Sequence, residues 1–243
     1  MKQSGKWRRC HTMIPRTVTT TVPLGTALAL LLLCSFTFGA RGASSGAENW
    51  RISPVHEDKV IYGTDDRREV YETTDASQRT WAASTCAVVY VDDLTDNQNG
   101  THSLITDAYQ HSGYPACSDE PYGDQPVAPF CTGFMAGADI IVTAGHCISE
   151  TDLENTRFLF GFDMADAATP TLTFSENQVY TGVQVIVRSY THEYDYSVIR
   201  VDRPVTAPGA RALPLRETDT IAVGARVGVI GHPSGLPKKI AFG

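Results

Sequence analysis

The chain has 243 residues, of which 42% are hydrophobic and 19% are charged, and its net charge at pH 7 is -7. This composition is typical of a globular protein and excludes a disordered one, and the length allows one large or two small domains. Six of the 20 basic residues precede Glu48, the first acidic residue, so removing their +6 from the total of -7 leaves the rest of the chain with a net charge of -13. An acidic body argues against nucleic acid as a partner.

Residues 1–43 predict a secretory signal peptide. Lys and Arg crowd the start, and the apolar run 24–38 is followed by small residues, which is the order found in such signals. The run is shorter than the ~20 residues that span a bilayer, so a permanent membrane anchor is only the alternative. Residues 44–59 are polar, contain Pro54 and end at the basic Lys59. They predict a propeptide or linker.

Export would place the mature chain in an oxidising compartment, where disulfides form. Loss of the leader removes two cysteines and leaves an even set: Cys86, Cys117, Cys131 and Cys147. Four cysteines permit three pairings. The sequence contains no Cys-X-X-Cys and no zinc-ligand spacing, so we predict neither a metal nor another cofactor.

From Glu69 onward the sequence predicts an all-β fold. Short runs of branched and aromatic residues bounded by turn residues are typical of strands. Such runs occupy residues 85–91, 140–142, 157–161, 178–187, 194–201 and 223–230.

The segment 92–129 between the first two of these runs is rich in Asp, Asn, Gly and Pro and predicts a long surface loop. It contains the sequon Asn99-Gly100-Thr101, which has meaning only in a host that glycosylates proteins.

His146 follows the second run. That run stops at Ala144-Gly145, two small residues that let the backbone turn sharply next to other segments of the protein. An imidazole titrates near neutral pH, so a His held at the end of a rigid strand is suited to accept a proton and return it. The alternative is a core His beside a structural Cys.

Asp195 precedes an alternating apolar strand. A carboxylate fixed by such an element can hold one tautomer of an imidazole and stabilise the imidazolium that forms. The alternative is an Asp that caps the strand. The neighbouring His192-Glu193 begins like the zinc motif HExxH, but Tyr196 stands where the second His is needed, which excludes that metal site.

These segments resemble one family. Thr143-Ala144-Gly145-His146-Cys147 resembles the catalytic-histidine motif of the chymotrypsin-fold serine proteases, and the segment around Asp195 resembles their catalytic-aspartate motif. The resemblance implies an all-β, chymotrypsin-like double β-barrel over residues 60–243, with the first barrel complete and the second truncated. It implies that His146 is the general base and then the acid, and that Asp195 orients it. It also implies the disulfide Cys131–Cys147, and with it Cys86–Cys117.

Residues 60–67, which include Asp65-Asp66-Arg67, resemble the mature amino terminus of the glutamyl endopeptidase branch of that family. Cleavage after Lys59 would give Val60 a free ammonium, and the resemblance implies that this amine binds the acidic side chain of the substrate. The alternative is an ordinary strand that enters the fold.

The family's nucleophilic Ser, oxyanion-hole glycines and specificity-pocket walls correspond to positions beyond Gly243. Ser234 lacks Gly-Asp-Ser-Gly surroundings and Ser197 lies within the Asp195 strand, so we predict neither as the nucleophile. We expect a secreted, monomeric serine endopeptidase, without a stable membrane anchor, that acts on proteins or peptides, from an incomplete sequence. The alternative is a non-catalytic homologue that binds peptides or proteins through its first barrel.

Overall fold

The computed structural model describes residues 65–111, 114–217 and 220–242. The predicted signal peptide, the predicted propeptide and Val60 lie outside these residues. Over the described ranges, no helix has the length and apolar character that a membrane crossing requires.

Strands form most of the described secondary structure, which confirms the predicted all-β class. Sixteen strands are described: β1 Arg68–Glu69, β2 Thr85–Tyr90, β3 Leu94–Asp96, β4 Thr101–Leu104, β5 Asp107–Ala108, β6 Gln110–His111, β7 Tyr114–Pro115, β8 Pro126–Val127, β9 Cys131–Gly137, β10 Ile140–Thr143, β11 Thr156–Phe160, β12 Thr173–Ser175, β13 Val179–Tyr190, β14 Asp195–Val201, β15 Gly228–Gly231 and β16 Lys239–Phe242. The described helices are α1 Ala76–Ala83 and the 3-10 helices Val70–Glu72, Val91–Asp93, Glu150–Asn155, Glu176–Gln178 and Pro233–Gly235.

Six of the strands close into a barrel in the order β10-β14-β13-β11-β2-β9. Each neighbouring pair is antiparallel. Alternate residues of these strands point inward, because successive side chains of a strand lie on opposite faces. The interior is filled by branched and aromatic side chains, among them Val88, Ile141, Phe158, Phe160, Tyr180 and Ile199. A closed antiparallel barrel is what the resemblance implies for the first half of the fold.

A three-stranded sheet in the order β1-β16-β15 forms a second β unit. Glu69 and Lys239 face each other across β1 and β16 and form a buried ion pair, with the Lys239 Nζ 2.9 Å from Glu69 Oε1. The same ammonium donates to Gln125 Oε1 at 2.7 Å and to the Pro237 carbonyl at 2.9 Å. Three acceptors around one buried cation tie this sheet to the loop that precedes β8. Truncation of the second barrel stays a prediction.

Three segments differ from their predicted structure. The segment 92–129, predicted as a long surface loop, contains the short strands β3 to β8, which pair with one another and with β12. Turn residues end each of these strands after a few residues, so the composition of the segment hides them. Helix α1 lies where only strands are predicted, and Asp75 begins it by accepting hydrogen bonds from the backbone N–H groups of Ser77 at 2.7 Å and Gln78 at 3.2 Å. An Asp followed by good helix formers is the signal for such a start. The strand predicted over 223–230 is shorter in the structure. Only its last three residues are in a strand, which is β15.

Candidate active site

Two neighbouring strands bring His146 and Asp195 together. Strands β10 and β14 pair antiparallel, with Thr143, the last residue of β10, opposite Ser197. Because β14 runs the other way, the chain that leaves β10 passes the start of β14, where Asp195 stands. The pairing register therefore sets the two side chains next to each other, although they are far apart in the sequence.

Asp195 binds His146 with both carboxylate oxygens. The His146 Nδ1 lies 2.6 Å from Asp195 Oδ2, and the backbone N–H of His146 donates to Oδ1 at 2.9 Å. A carboxylate only accepts, so Nδ1 carries the proton and Nε2 keeps its lone pair. No group in the described residues hydrogen-bonds to Nε2, and 53% of the His146 side chain is exposed. The ring can therefore present a base to a group outside it.

The hydrogen bond from the His146 ring holds the pKa of Asp195 below its ordinary value. Desolvation opposes this shift less strongly than the ring hydrogen bond favours it, and the backbone N–H groups of His146 and Gly145 make smaller contributions that lower the pKa further. Hydrogen bonds to the charged form of a carboxyl favour that form. Asp195 therefore stays ionised in the pH range in which an imidazole titrates, and it can stabilise a positive charge on the ring.

Gly145 allows the turn before His146 to pass close to β13 and β14. A Cβ at this position would clash with the backbone carbonyl oxygens of Ser189 and Tyr196. The turn thus fits only a residue without a side chain, which is the reason for a glycine here.

Arg188 and Tyr190 of β13 also support the turn, and the sequence analysis missed both. The Arg188 Nε donates to the Gly145 carbonyl at 2.6 Å, and its guanidinium lies 5.6 Å from the centre of the Tyr190 ring. The centre of that ring is 6.1 Å from the centre of the His146 ring. The only sequence signal for these residues was the alternation of side chains along a strand. Such alternation does not show which residues of other strands they contact.

We expect Gly145→Ala to lower the free energy of unfolding by about 3 kcal/mol, because backbone atoms rather than flexible side chains must move. The displaced turn would also weaken the hydrogen bond between His146 and Asp195. Urea unfolding measures the first effect, and the NMR signal of the His146 Nδ1 proton measures the second. Gly100→Ala is the matched control. A Cβ added at Gly100 would meet no atom within 4 Å, so the φ of 79° is the only unfavourable feature. We expect this variant to lose about 1 kcal/mol of stability. Equal losses in both variants would contradict the close packing of Gly145.

The predicted disulfide Cys131–Cys147 is present, with the two Cα atoms 6.2 Å apart. It joins the start of β9 to the residue after His146. The bond therefore restrains the far side of the turn that carries the imidazole.

The predicted pair Cys86–Cys117 is wrong. Cys86 is a free thiol that is fully buried in the barrel core, whereas Cys117 is disulfide-bonded. The physical reason is that Cys86 points from β2 into the closed barrel, where it packs beside Gly133, while Cys117 lies in the loop between β7 and β8. Burial raises the pKa of the Cys86 thiol to about 12. A thiol held in this neutral form is unreactive.

Removal of the Cys131–Cys147 bond should destabilise the fold by about 3 kcal/mol, because the bond closes a loop with a sequence separation of 16. The double variant Cys131→Ala with Cys147→Ala, unfolded in urea, measures this loss. A variant as stable as the unchanged protein would show that the bond does not restrain the turn.

One group of potential metal ligands occurs in the described part of the chain: Cys131, His146 and Cys147, whose ligand atoms all lie within 4.8 Å of one another. The two sulfurs are bonded to each other, so neither is available as the thiolate that a metal binds. The Nδ1 atom of the imidazole is engaged by Asp195. The donor set does not fit a metal ion.

The two serines considered as nucleophiles do not contact His146. The Ser197 hydroxyl is buried within β14 and has no hydrogen-bond partner among the described residues. Ser234 is exposed in the last 3-10 helix, with a φ of 53°. Across residues 65–111, 114–217 and 220–242, no hydroxyl group hydrogen-bonds to the His146 ring. The described residues thus hold an imidazole hydrogen-bonded to a carboxylate, without a hydroxyl group bonded to the ring.

Val60 lies outside the described residues, but part of the segment after it is described. Arg67 donates from Nε to Asp65 Oδ1 at 3.0 Å and from Nη2 to Oδ2 at 2.8 Å. The Tyr122 hydroxyl donates to the Arg67 carbonyl at 2.8 Å. These contacts fix the segment 65–67 against the loop before β8. They engage the Asp65 carboxylate within its own turn.

Residues 131–243, which include His146 and Asp195, match the family described as trypsin-like peptidase domain. This match supports the chymotrypsin-like fold and a serine protease-like function. No curated protein matches the sequence.

Among solved structures, the chain is similar to the crystal structure of a scabies mite inactivated protease paralogue. The identity is 18%, the TM-score is 0.40, and the match covers 70% of this chain and 62% of that one. The chain thus spans less than two thirds of the structure that it matches.

Proposed function

We propose that the chain is most of a secreted serine endopeptidase that hydrolyses peptide bonds with a His-Asp-Ser triad. The observation that carries this proposal is the 2.6 Å contact between His146 Nδ1 and Asp195 Oδ2, on two strands of a closed barrel. The nucleophilic Ser and the oxyanion hole would follow Gly243 in the complete protein.

In this mechanism, Nε2 of His146 takes the proton of the Ser hydroxyl as it attacks the scissile carbonyl. The same atom then gives the proton to the leaving amine. Asp195 keeps the ring in the required tautomer and stabilises the imidazolium without taking the proton itself, in agreement with its lowered pKa. Peptides or proteins are the substrates.

Secretion is supported by the order of residues in the predicted signal peptide and by the disulfide Cys131–Cys147. Processing after Lys59 would expose the ammonium of Val60, a positive charge that could pair with an acidic substrate side chain. A preference for acidic residues is supported only by the resemblance of residues 60–67. Amino-terminal sequencing of the secreted protein tests the processing site: we expect Val60 first, and a start well before Ser53 would contradict it.

Sequencing of the transcript past the codon for Gly243 tests the proposed triad. We expect the reading frame to continue to a Ser in Gly-Asp-Ser-Gly surroundings. A stop codon directly after Gly243 would contradict the endopeptidase proposal.

A peptide-binding function without catalysis is the second candidate. One observation favours it: a cleft of about 670 Å³ lies between α1, β9 and β15 and has Trp81, Phe134 and Phe242 in its walls, with Arg216 and Arg226 at the same cleft. Neither His146 nor Asp195 lines this cleft. A stop codon after Gly243, together with cooperative folding and peptide binding of purified 60–243, would favour this candidate.

A further inference from the structure

Asn99 stands at the tip of the hairpin formed by β3 and β4. Asn99-Gly100-Thr101 is the only Asn-X-Ser/Thr sequence in the chain. We infer that Asn99 is a glycosylation site, which receives an oligosaccharide from a lipid-linked diphosphate donor in the secretory pathway. This inference rests on the proposed secretion, because the transferase acts only on chains that enter that pathway.

The side chain of Asn99 leaves its amide nitrogen available. Its Oδ1 accepts hydrogen bonds from the Thr101 hydroxyl at 2.6 Å and from the Thr101 backbone N–H at 3.1 Å. Its Nδ2 donates no hydrogen bond to any residue that the structure describes, and the residue is exposed. A sugar on Nδ2 would therefore break none of the described contacts.

The surroundings of the tip have room for a sugar. Gly100, the next residue, has a φ of 79°, and a Cβ built on it would meet no atom within 4 Å. The tip is also held in place, since the Gly100 carbonyl accepts from the Glu176 backbone N–H at 3.2 Å and Asn97 Nδ2 donates to Thr101 Oγ1 at 2.9 Å. An attached glycan would therefore be exposed to solvent on a tip that these contacts hold in place.

The position also suggests a use for the glycan. Strand β3 is at the edge of its sheet, whose order is β12-β4-β3. An exposed edge strand can pair with another chain. A bulky, soluble group at the end of β3 would hinder that pairing.

The transfer step balances without a further reactant. Asn99 Nδ2 forms a bond to the anomeric carbon of the first sugar, and the bond from that carbon to the diphosphate oxygen breaks. The lipid diphosphate leaves with the electron pair, and Nδ2 loses one proton to a base of the transferase. The hydrogen bond from Thr101 to Oδ1 draws electron density from the amide and makes the Nδ2 protons more acidic, which gives Thr101 a role in the reaction.

Expression of the full chain in a eukaryotic cell line that secretes proteins tests this inference. Protein from the medium is compared before and after treatment with peptide N-glycosidase, by gel mobility and by the mass of the peptide that contains Asn99. We expect a mobility shift for the unchanged chain and conversion of Asn99 to Asp by the enzyme. Asn99→Gln and Thr101→Ala should abolish the shift, whereas Thr101→Ser should keep part of it. Asn155→Gln, at an exposed Asn outside the sequon and outside this hairpin, should keep all of it.

A second set of chains carries an unrelated, established signal peptide in place of residues 1–43. This set separates the proposed native secretion signal from the proposed glycosylation of Asn99. If only this set gave a glycosylated product, the result would contradict residues 1–43 as a secretion signal and would support Asn99 as the acceptor. Secreted protein without sugar on Asn99 in both sets would overturn the inference, as would a sugar that persists in Asn99→Gln.

Discussion

Asp195→Asn, in protein expressed from the complete transcript, is expected to lower kcat by roughly 10⁴-fold, the loss that the same change causes in a well-characterised Ser-His-Asp triad. The Asn side chain can occupy the same space, but its amide can donate to Nδ1 of His146. The ring would then carry its proton on Nε2, where the mechanism needs a lone pair. Steady-state kinetics with a peptide substrate measure the effect, and KM should change little because the substrate does not bind Asp195.

Asp139→Asn is the matched control for this experiment. Asp139 precedes β10 at the other end of the same strand pair, and its Oδ2 lies 3.3 Å from Arg200 Nε in a partly exposed ion pair. Such pairs contribute at most about 1 kcal/mol to stability, and this one lies away from the His146 turn, so kcat should stay within about twofold. If Asp195→Asn kept a tenth or more of the activity, the assigned role of Asp195 would be wrong.

The second large effect is a loss of folding stability at acidic pH, which we expect His232 to cause. This side chain is buried, stacks on Phe162 with ring centres 5.8 Å apart, and has its pKa lowered to about 3 by burial and by the charges of Lys238 and Lys239. In the unfolded chain the pKa of a His is about 6.5. Between these values the unfolded state binds a proton that the folded state does not, so stability falls as the pH falls from about 6.5 towards 3. The loss is about 1.4 kcal/mol per pH unit, or about 3 kcal/mol by pH 4.

His232→Phe should remove this loss. A Phe keeps the ring contact with Phe162 and eliminates a buried Nε2 atom that has no hydrogen-bond partner in the described residues. It also removes the 3.0 Å hydrogen bond between Nδ1 and the Leu236 carbonyl, at a cost of about 1 kcal/mol at every pH. Urea unfolding at pH 7, 5.5 and 4 should show the variant gaining about 3 kcal/mol relative to the unchanged protein across this range. His192→Phe, at an exposed His, is the control. If the unchanged protein and both variants showed the same dependence of stability on pH, the buried, neutral state of His232 would be contradicted.

The geometry around His146 could be predicted because its parts are local. A branched run that ends at two small residues indicates a strand followed by a tight turn, and an acid before an alternating strand indicates a fixed carboxylate. The resemblance then placed both residues in one mechanism. The 2.6 Å contact shows that the strands bring these groups together as expected.

The errors concern features that only the three-dimensional arrangement decides. Counting cysteines could not show that Cys86 faces the inside of a closed barrel, because neighbouring residues of a strand point in opposite directions and the sequence does not say which face is enclosed. Arg188 contacts the Gly145 turn only through the pairing of β13 with β14. Helix α1 was not predicted, because its start is signalled by one side chain, Asp75, in a region otherwise dominated by strand-like runs.

The most direct test of the proposed triad is labelling with a fluorophosphonate, which reacts with a Ser only when a neighbouring base activates it. The secreted protein from the complete transcript should be labelled on a single Ser beyond Gly243, identified by peptide mass, and the His146→Ala variant should not be labelled. A folded protein with His146 and Asp195 in place that takes no label would contradict the proposal.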